Sequence, residues 1–400
     1  MVSDQGDQDA TTWQPEDPLS RHGSHLHDPG KLLFCYGSNR IPRVEDTTTV
    51  RFENFIRDYA DERHFNGSIR VEEDGKSLFH GSFGIADRAF NVPCTDPTKY
   101  KIASITKVFT AVLVLALVEE KKIDLEQKIK HYLASYSGEG ADRVAIRMLL
   151  NHTSGLPNAD ASYNSVAYAL ATGMPHYQLP ATPDELIVRY YSGKLLSPPG
   201  KVFRYNNADY IILGKIIESV TGKTFEKVLE ERILAPLGMH DTGLLHQREI
   251  VPHLAPTYFS PEKGAALMND MPVYPENWFA AGGMYSTTAD LMKFANALYG
   301  GKLLSPASLD LMLKPGLDGY GFGVWVGNPT FGGKSYRNVN RPGGIMGANG
   351  SFYHFNGVGF DKEINIVVLS NTDLTDMDAF SWDIGKALLG PEGKSNSAAH

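Results

Sequence analysis

Positions 101–111 of this 400-residue chain read Lys101-Ile-Ala-Ser104-Ile-Thr-Lys107-Val-Phe-Thr-Ala111. From Ser104 to Glu120 the chain is apolar nearly all round, which predicts a buried central helix. Ser104 and Lys107 stand three positions apart and therefore share one face of its first turn. Burial disfavours the charged form of lysine, so we expect Lys107 to have a lowered pKa and to accept the Ser104 proton. The backbone N–H of Ser104, unpaired at a helix start, is a candidate oxyanion donor.

The same spacing of serine and lysine occurs a second time, in Ser260-Pro-Glu-Lys263. Proline lies inside that copy and no apolar helix follows it, so we interpret it as a turn. The alternative for Ser104 is a helix-capping serine beside a solvated lysine. The apolar residues after Ser104 argue against this alternative, because an unpaired charge is costly to bury.

A second motif, Tyr205-Asn-Asn207, lies between the loop Ser197-Pro-Pro-Gly200 and a helical pattern. It places a phenol and a carboxamide two residues apart, where an extended turn can direct both into one cleft. A Tyr205 phenolate stabilised by Lys107 would share the role of base and then protonate the leaving group. Asn207 is a candidate substrate-binding residue. The alternative is that Tyr205 is a buried packing tyrosine.

Two stretches look similar to this motif, Tyr336-Arg-Asn338 and Ser162-Tyr-Asn164. Neither of them stands between a proline-rich loop and a helix start, so we do not interpret them as site residues.

The order of predicted elements is strands, then helices, then strands, which indicates an α/β protein of the α+β type. The hairpin turn Asp74-Gly75 joins the first two strands. Predicted helices are Arg51–Arg63, Ser104–Glu120, Ala145–Leu150, Asp184–Tyr191, Asp209–Thr221, Phe225–Ile233 and one capped by Ser286 or Thr287. Predicted strands are Ser68–Glu72, Ser77–His80, Tyr320–Val326, Gly350–Phe355 and Ile364–Ser370.

These patterns predict a split α/β domain at 46–125 and 266–390 that is interrupted by a helical lobe at 126–265. Residues 1–45 are polar and rich in proline and glycine, which predicts a leader or arm, and 391–400 resemble a flexible tail.

Composition and charge exclude several classes of protein. A net charge of −8 and a pI near 5.9 argue against nucleic-acid binding, and the scattered Lys and Arg argue against an anionic membrane surface. The longest apolar stretch, Val108 to Val118, is too short to span a bilayer. The first residues lack the features of a secretory signal, so we expect a cytoplasmic protein.

Cysteine and histidine usage predicts neither a disulfide framework nor a metal site. The chain has only Cys35 and Cys94, and we interpret His22, His25 and His27 as part of a flexible polar tract. A serine nucleophile needs no cofactor, and none is expected.

With these motifs the chain resembles the superfamily of class C β-lactamases, D-alanyl-D-alanine carboxypeptidases and family VIII esterases. The resemblance covers residues 50–390 and includes three further stretches. They are Leu149-Leu-Asn-His-Thr-Ser-Gly-Leu-Pro157, Leu237-Gly-Met-His-Asp-Thr242 and Gly282-Gly-Met-Tyr-Ser-Thr-Thr-Ala-Asp290. It implies a β-lactamase-like antiparallel sheet flanked by helices, with an inserted helical lobe and an active site between them. His152 and Asp290 recur in these stretches and are expected to be structural.

The resemblance also implies a strand motif, Lys-Thr-Gly or His-x-Gly, which corresponds here to Arg341-Pro342-Gly343-Gly344. Arginine stays protonated, so Arg341 can hold a substrate carboxylate but cannot relay a proton, and the alternative is a surface arginine. Pro342 removes a backbone donor from the strand edge. Gly343 is a candidate substrate-binding residue, and the N–H of Gly344 a candidate second oxyanion donor.

The predicted function is a serine hydrolase or acyltransferase that forms an acyl-enzyme at Ser104 on a small-molecule ester, amide or thioester. One alternative is a β-lactamase or DD-peptidase. An alternative of another class is a catalytically silent protein that binds a peptide or metabolite in the same cleft.

Overall fold

The computed structural model describes residues 47–159, 172–261 and 265–390. Several sequence predictions lie outside these residues: the leader, the tail, the three histidines, Cys35, Ser162-Tyr-Asn164 and Lys263. Cys94 lies within them as a buried free thiol.

An antiparallel sheet of seven strands forms the centre of the described structure. In chain order the described strands are Gly67–Glu73 (β1), Lys76–Phe83 (β2), Ile85–Asp87 (β3), Val92–Pro93 (β4), Tyr100–Lys101 (β5), Gly243–Leu244 (β6), Tyr258–Phe259 (β7), Met268–Asn269 (β8), Met284–Ser286 (β9), Trp325–Gly327 (β10), Thr330–Phe331 (β11), Lys334–Ile345 (β12), Ala348–Gly357 (β13) and Glu363–Ser370 (β14). The central sheet has the order β10, β12, β13, β14, β1, β2, and β11 pairs separately with β12.

Local sequence explains the first hairpin of the sheet. Asp74 and Gly75, which connect β1 to β2, both have positive φ, 50° and 72°. Positive φ at both central residues is typical of a type I′ turn, whose twist matches that of the flanking strands. The predicted hairpin is therefore present, with Glu73 opposite Lys76.

Helices cover the sheet and form a large region beside it. In chain order they are Thr47–Glu62 (α1), Thr106–Glu119 (α2), Ile129–Tyr132 (α3), Ile146–Leu150 (α4), Pro175–Gln178 (α5), Pro183–Leu186 (α6), Asn207–Thr221 (α7), Phe225–Leu229 (α8), Ala235–Leu237 (α9), Phe279–Gly282 (α10), Thr288–Tyr299 (α11), Pro306–Met312 (α12) and Met377–Leu389 (α13). Single 3₁₀ turns occur at Ala103–Ile105, Pro275–Trp278 and Leu317–Gly319.

Three predicted elements differ from the observed ones. The helices predicted at 184–191 and 225–233 start as α6 and α8 but continue as π-helical turns, Ile187–Tyr191 and Glu230–Leu234. The strand predicted at Tyr320–Val326 is wrong for its first part, because the chain turns back and pairs Tyr320 with Trp325. Thr287, not Ser286, caps α11 by accepting a hydrogen bond from Asp290 N–H.

Strand β14 separates two hydrophobic cores because its side chains alternate between the faces of the sheet. Ile366 and Val368 pack with α1 and α13 on one face. Val367 and Leu369 pack with α2, α7 and α11 on the other face. The fold is thus an antiparallel sheet with helices on both faces, as predicted, whereas the domain boundaries at 125 and 265 stay a prediction.

Helix α2 is the central helix of the larger core. Eleven of its fourteen residues are buried, which agrees with its apolar sequence. Its N-terminal end meets β12, since the 3₁₀ turn Ala103–Ile105 lies directly against that strand. This junction of helix, turn and strand positions the candidate active site.

Candidate active site

Ser104 lies in the 3₁₀ turn Ala103–Ile105, directly before α2. The α-helix begins two residues later than predicted, at Thr106. Buried Ala103 has a φ of 44°, a region that alanine rarely adopts, so the backbone turns sharply into Ser104. The turn leaves the serine hydroxyl half-buried at the N-terminal end of the central helix.

Lys107 is fully buried and its ammonium group has three protein acceptors. Nζ donates to Ser104 Oγ at 3.1 Å, to Asn207 Oδ1 at 2.7 Å and to the Ala281 carbonyl oxygen at 2.7 Å. Lys107 is therefore not the solvated lysine of the alternative interpretation.

Tyr205 places its hydroxyl oxygen 2.7 Å from Ser104 Oγ. Arg341 Nη2 donates to the same phenol oxygen at 2.5 Å, and Lys107 Nζ lies 4.8 Å from the ring centroid. Burial alone would raise the pKa of Tyr205, but the charges of Arg341 and Lys107 outweigh burial and lower it from 10.0 to about 8. Two cations thus make this phenol unusually acidic.

Arg341 is buried beneath the site, with 1% of its surface exposed. Besides Tyr205, its guanidinium donates through Nε to the Ser104 carbonyl oxygen at 2.8 Å and through Nη1 to Tyr320 Oη at 2.9 Å. The surface-arginine alternative is therefore wrong. The guanidinium binds protein groups, and its predicted contact with a substrate carboxylate stays a prediction.

Asn207 begins α7 and connects Lys107 to a residue that the sequence analysis missed. Its Oδ1 accepts from Lys107, while its Nδ2 donates to Tyr177 Oη at 3.2 Å. Tyr177 packs on Trp278 with ring centroids 4.4 Å apart. No local pattern marks Tyr177, because it comes from a separate short helix, α5.

Gly343 and Gly344 lie on β12 beside the serine turn. A Cβ atom on Gly343 would lie 2.3 Å from the carbonyl oxygen of Ile102, so only glycine permits this close approach. Gly344 is exposed, and a Cβ atom there would meet nothing within 4 Å. Strand β12 is therefore exposed to solvent at Gly344, one residue after Gly343 makes its close contact with the serine turn.

The similar-looking motifs lie elsewhere. Ser260 follows β7, where its N–H donates to Asp373 Oδ1 at 2.8 Å and its hydroxyl to the Ala265 carbonyl oxygen at 3.1 Å. Tyr336 is buried in the core on the other face of the sheet. Asp290 accepts from Asp241 N–H at 2.9 Å and Thr242 Oγ1 at 3.0 Å, and so connects the first turn of α11 to the segment before β6.

Beneath Tyr205 lies a buried pair, His152 and Asp209, with Nδ1 and Oδ2 2.8 Å apart. The sequence analysis expected His152 to be structural and missed Asp209. An acidic residue within the otherwise apolar start of α7 is the signal that could have found it.

A narrow cavity opens next to the serine turn. Ala103 and Ile345, the neighbours of Ser104 and Gly344, line it. Its other lining residues are mostly apolar, with one lysine and one aspartate: Lys101, Leu245, Asp270, Met271, Val273, Pro275, Trp278, Gly282, Met346 and Ala348.

In the part of the chain that the structure describes, no three His, Cys, Asp or Glu side chains cluster as metal ligands. Among those same residues no helix is both long and apolar enough to cross a bilayer.

The fold is an antiparallel sheet with flanking helices, and the site joins a serine to a buried lysine and a tyrosine. These two features define a serine hydrolase of β-lactamase-like fold. The chain belongs to the beta-lactamase family, whose model matches residues 52–390.

Two curated relatives and one solved structure illustrate the family. Penicillin-binding protein 4* of Bacillus subtilis (strain 168) is 29% identical over 336 residues, covering 78% of this chain and 69% of the relative. Teichoic acid D-alanine hydrolase of Staphylococcus aureus is 25% identical over 291 residues, covering 73% and 68%. D-amino acid amidase from Ochrobactrum anthropi SV3, complexed with L-phenylalanine, matches with a TM-score of 0.68 at 25% identity, covering 85% and 97%.

Proposed function

We propose that this protein hydrolyses a small-molecule ester or amide through an acyl-enzyme formed at Ser104. The observation that carries the proposal is the position of Ser104 Oγ, within hydrogen-bond distance of both Lys107 Nζ and Tyr205 Oη. A nucleophilic hydroxyl needs a base within such reach and a partner that orients it. Transfer of the acyl group to an acceptor other than water, or attack on a thioester, would use the same residues.

Tyr205 is the proposed base. Its phenolate accepts the Ser104 proton while Oγ attacks the substrate carbonyl, and the same proton then passes to the leaving group as its bond to the carbonyl carbon breaks. In this proposal Lys107, which donates to Ser104, Asn207 and Ala281, is charged and stabilises the phenolate and Oγ. The sequence-based expectation of a neutral Lys107 that accepts the Ser104 proton stays a prediction. In the second half-reaction water attacks the acyl-enzyme and gives a proton to the Tyr205 phenolate, and that proton returns to Ser104 Oγ as the acid product leaves.

The oxyanion donors are the N–H groups of Ser104 and Gly344. Residues 341–345 of β12 pair with β13 on one side. Proline is tolerated in a paired strand where its nitrogen faces away from the hydrogen-bonded partner strand. Hydrogen-bonding directions alternate along a strand, so the Gly344 N–H faces the same edge as the Pro342 nitrogen. That edge adjoins the serine turn, where Gly343 makes its close approach to Ile102.

The cavity beside Ser104 is the proposed site for the acyl group. It lies next to both oxyanion donors, because Ala103 and Ile345 line it. Its narrow apolar walls favour short acyl groups over long chains. Relatives named as a teichoic acid D-alanine hydrolase and a D-amino acid amidase support ester and amide substrates with small acyl groups.

A β-lactamase or DD-peptidase is the rival function, supported by the relative named as a penicillin-binding protein. A β-lactam carries a carboxylate, and Arg341 was the candidate to hold it. The Arg341 guanidinium already donates to Ser104, Tyr205 and Tyr320, so we favour ester or amide turnover.

The test is turnover of p-nitrophenyl butyrate and nitrocefin by one preparation of the protein. We expect the ester to have the higher kcat/KM, with Ser104→Ala inactive and Ser260→Ala, the matched serine, fully active. A higher kcat/KM for nitrocefin would replace the proposal with the lactamase. No turnover of either substrate by a folded wild-type protein would favour the silent binding protein.

A further inference from the structure

Both backbone N–H groups that flank Tyr205 are bound by one buried residue, His152. The His152 carbonyl oxygen accepts from Arg204 N–H at 2.9 Å, and Nδ1 of its ring accepts from Asn206 N–H at 3.3 Å. The imidazole also packs against the Tyr205 ring, with centroids 4.5 Å apart. His152 therefore holds the segment that carries the phenol from both sides.

His152 is in turn held by Asp209. The carboxyl oxygen Oδ2 lies 2.8 Å from His152 Nδ1, and Oδ1 accepts from Ser154 Oγ at 2.5 Å. Both His152 and Asp209 are fully buried. In a Ser-His-Asp triad the corresponding carboxylate is ionised and accepts a hydrogen bond from the histidine Nδ1–H.

The contacts of Nδ1 favour the opposite arrangement here. Asn206 N–H is directed at Nδ1, which indicates that this ring nitrogen carries no proton of its own. Two acceptors cannot hydrogen-bond to each other, so the proton between Nδ1 and Oδ2 belongs to the carboxyl group. The ring proton then lies on Nε2, which has no hydrogen-bond partner among the described residues. The centroids of Tyr210 and Tyr320 lie 5.2 Å and 5.0 Å from that of the imidazole.

The charged and titratable groups around the pair agree with this arrangement. Burial raises the pKa of Asp209 well above its usual value, against the weaker effects of Ser154 and Lys107. Burial, and then the charges of Lys107 and Arg341, lower the pKa of His152 well below its usual value. The other titratable groups facing the pair are phenols, those of Tyr136, Tyr205, Tyr210 and Tyr320.

We propose that Asp209 is a protonated carboxylic acid that donates to the Nδ1 of a neutral His152, and that this uncharged pair positions Tyr205 for catalysis. The proposal rests on the proposed function only for its catalytic part. An ionised Asp209 would place an anion close to Lys107 and counteract the cations that make Tyr205 acidic. The neutral pair holds the Tyr205 segment in place and does not counteract these cations.

Rescue by an isosteric amide tests the hydrogen-bond direction. Asp209→Ala removes the donor to Nδ1, and we expect kcat for p-nitrophenyl butyrate to fall by about tenfold or more with KM little changed. Asp209→Asn restores a donor to Nδ1 and an acceptor for Ser154, so it recovers most of that kcat with the same pH profile. If Asp209→Asn is as impaired as Asp209→Ala, or its pH profile shifts, the carboxyl is ionised and the proposal is overturned.

Infrared spectroscopy tests the protonation without any substrate. The difference spectrum between wild type and Asp209→Asn at pH 7 should contain the carbonyl stretch of a protonated carboxyl group, and a carboxylate band in its place would overturn the proposal. A protonated band in a folded protein that lacks esterase activity would leave the pair as proposed and reject the proposed function. Retained kcat in a folded His152→Asn variant would reject the positioning role.

Discussion

The Arg341 guanidinium donates to the Tyr205 phenol oxygen at 2.5 Å from a position that is 1% exposed. In so dry a place its charge acts strongly on a nearby proton equilibrium. With Lys107 it lowers the pKa of Tyr205 to about 8, in spite of burial. At the level of single residues the site therefore functions through one phenol and two cations.

Removal of the Arg341 charge should shift the pH dependence. If the Tyr205 phenolate is the base, kcat/KM is half its maximum near pH 8, rises towards its full value above this pKa and falls below it. In Arg341→Gln the pKa of Tyr205 rises, so the rising limb of the profile moves to higher pH and activity at pH 7 falls. Arg341→Lys keeps the charge and should shift the limb less. If the rising limb of the Arg341→Gln profile stays at the wild-type pH, the charge of Arg341 does not act on Tyr205.

Removal of the Tyr205 hydroxyl should abolish the rising limb of the pH profile. Tyr205→Phe keeps the ring but removes the proton acceptor, so we expect kcat/KM to fall by about a hundredfold or more. Tyr336→Phe is the matched control, because Tyr336 stands in a similar Tyr-x-Asn motif but is buried in the other core. Equal effects of the two substitutions on p-nitrophenyl butyrate turnover would remove Tyr205 from the mechanism.

Sequence reasoning could predict which residues approach Ser104 but not all of their partners. Helical spacing brings Lys107 to Ser104, and the motif before α7 brings Tyr205 and Asn207 to the same place. The guanidinium contacts of Arg341 depend on how β12 crosses the serine turn. That crossing is a tertiary feature that no spacing within the sequence encodes.

At the level of elements, the contact between β12 and the serine turn is the critical one. A Cβ atom on Gly343 would lie 2.3 Å from the Ile102 carbonyl oxygen, so Gly343→Ala must displace the strand or the turn. We expect a loss of stability of about 1–3 kcal/mol, since overpacking of this kind typically costs that much. Activity should fall as well, because the Gly344 N–H moves away from the Ser104 N–H.

Gly327→Ala is the control for this prediction. Gly327 lies in β10 of the same sheet, and a Cβ atom there would meet nothing within 4 Å. Thermal unfolding and kcat/KM should both stay near wild type. If Gly343→Ala has the same unfolding temperature and the same kcat/KM as wild type, β12 does not hold the serine turn as described.

The predictability of the elements follows their local signals. The β1–β2 hairpin and β14 were predictable because a turn dipeptide and a continuous apolar run mark them. Most of β12 was not, since its sequence KSYRNVNRPGGI contains proline and two glycines and lacks a clean alternation. The π-helical turns after α6 and α8 have no signal in periodicity, which predicts only a continuous helix.

At the level of the whole molecule, the family resemblance implied the place of the site between the sheet and the helices. The order of elements was sufficient to predict an α/β fold. It was not sufficient to predict two cores. The division between them depends on β14 being central, so that Ile366 and Val367 face opposite layers. Predictions that depend on cellular context, such as a cytoplasmic location, stay predictions.

The central claim is that Ser104 is the nucleophile of an acyl-enzyme. Labelling with a fluorophosphonate, followed by intact mass and peptide mapping, tests it most directly. We expect one adduct, on Ser104, in the wild type and in Ser260→Ala, and none in a folded Ser104→Ala. An adduct on another serine, or a folded wild-type protein that stays unlabelled, would contradict the account.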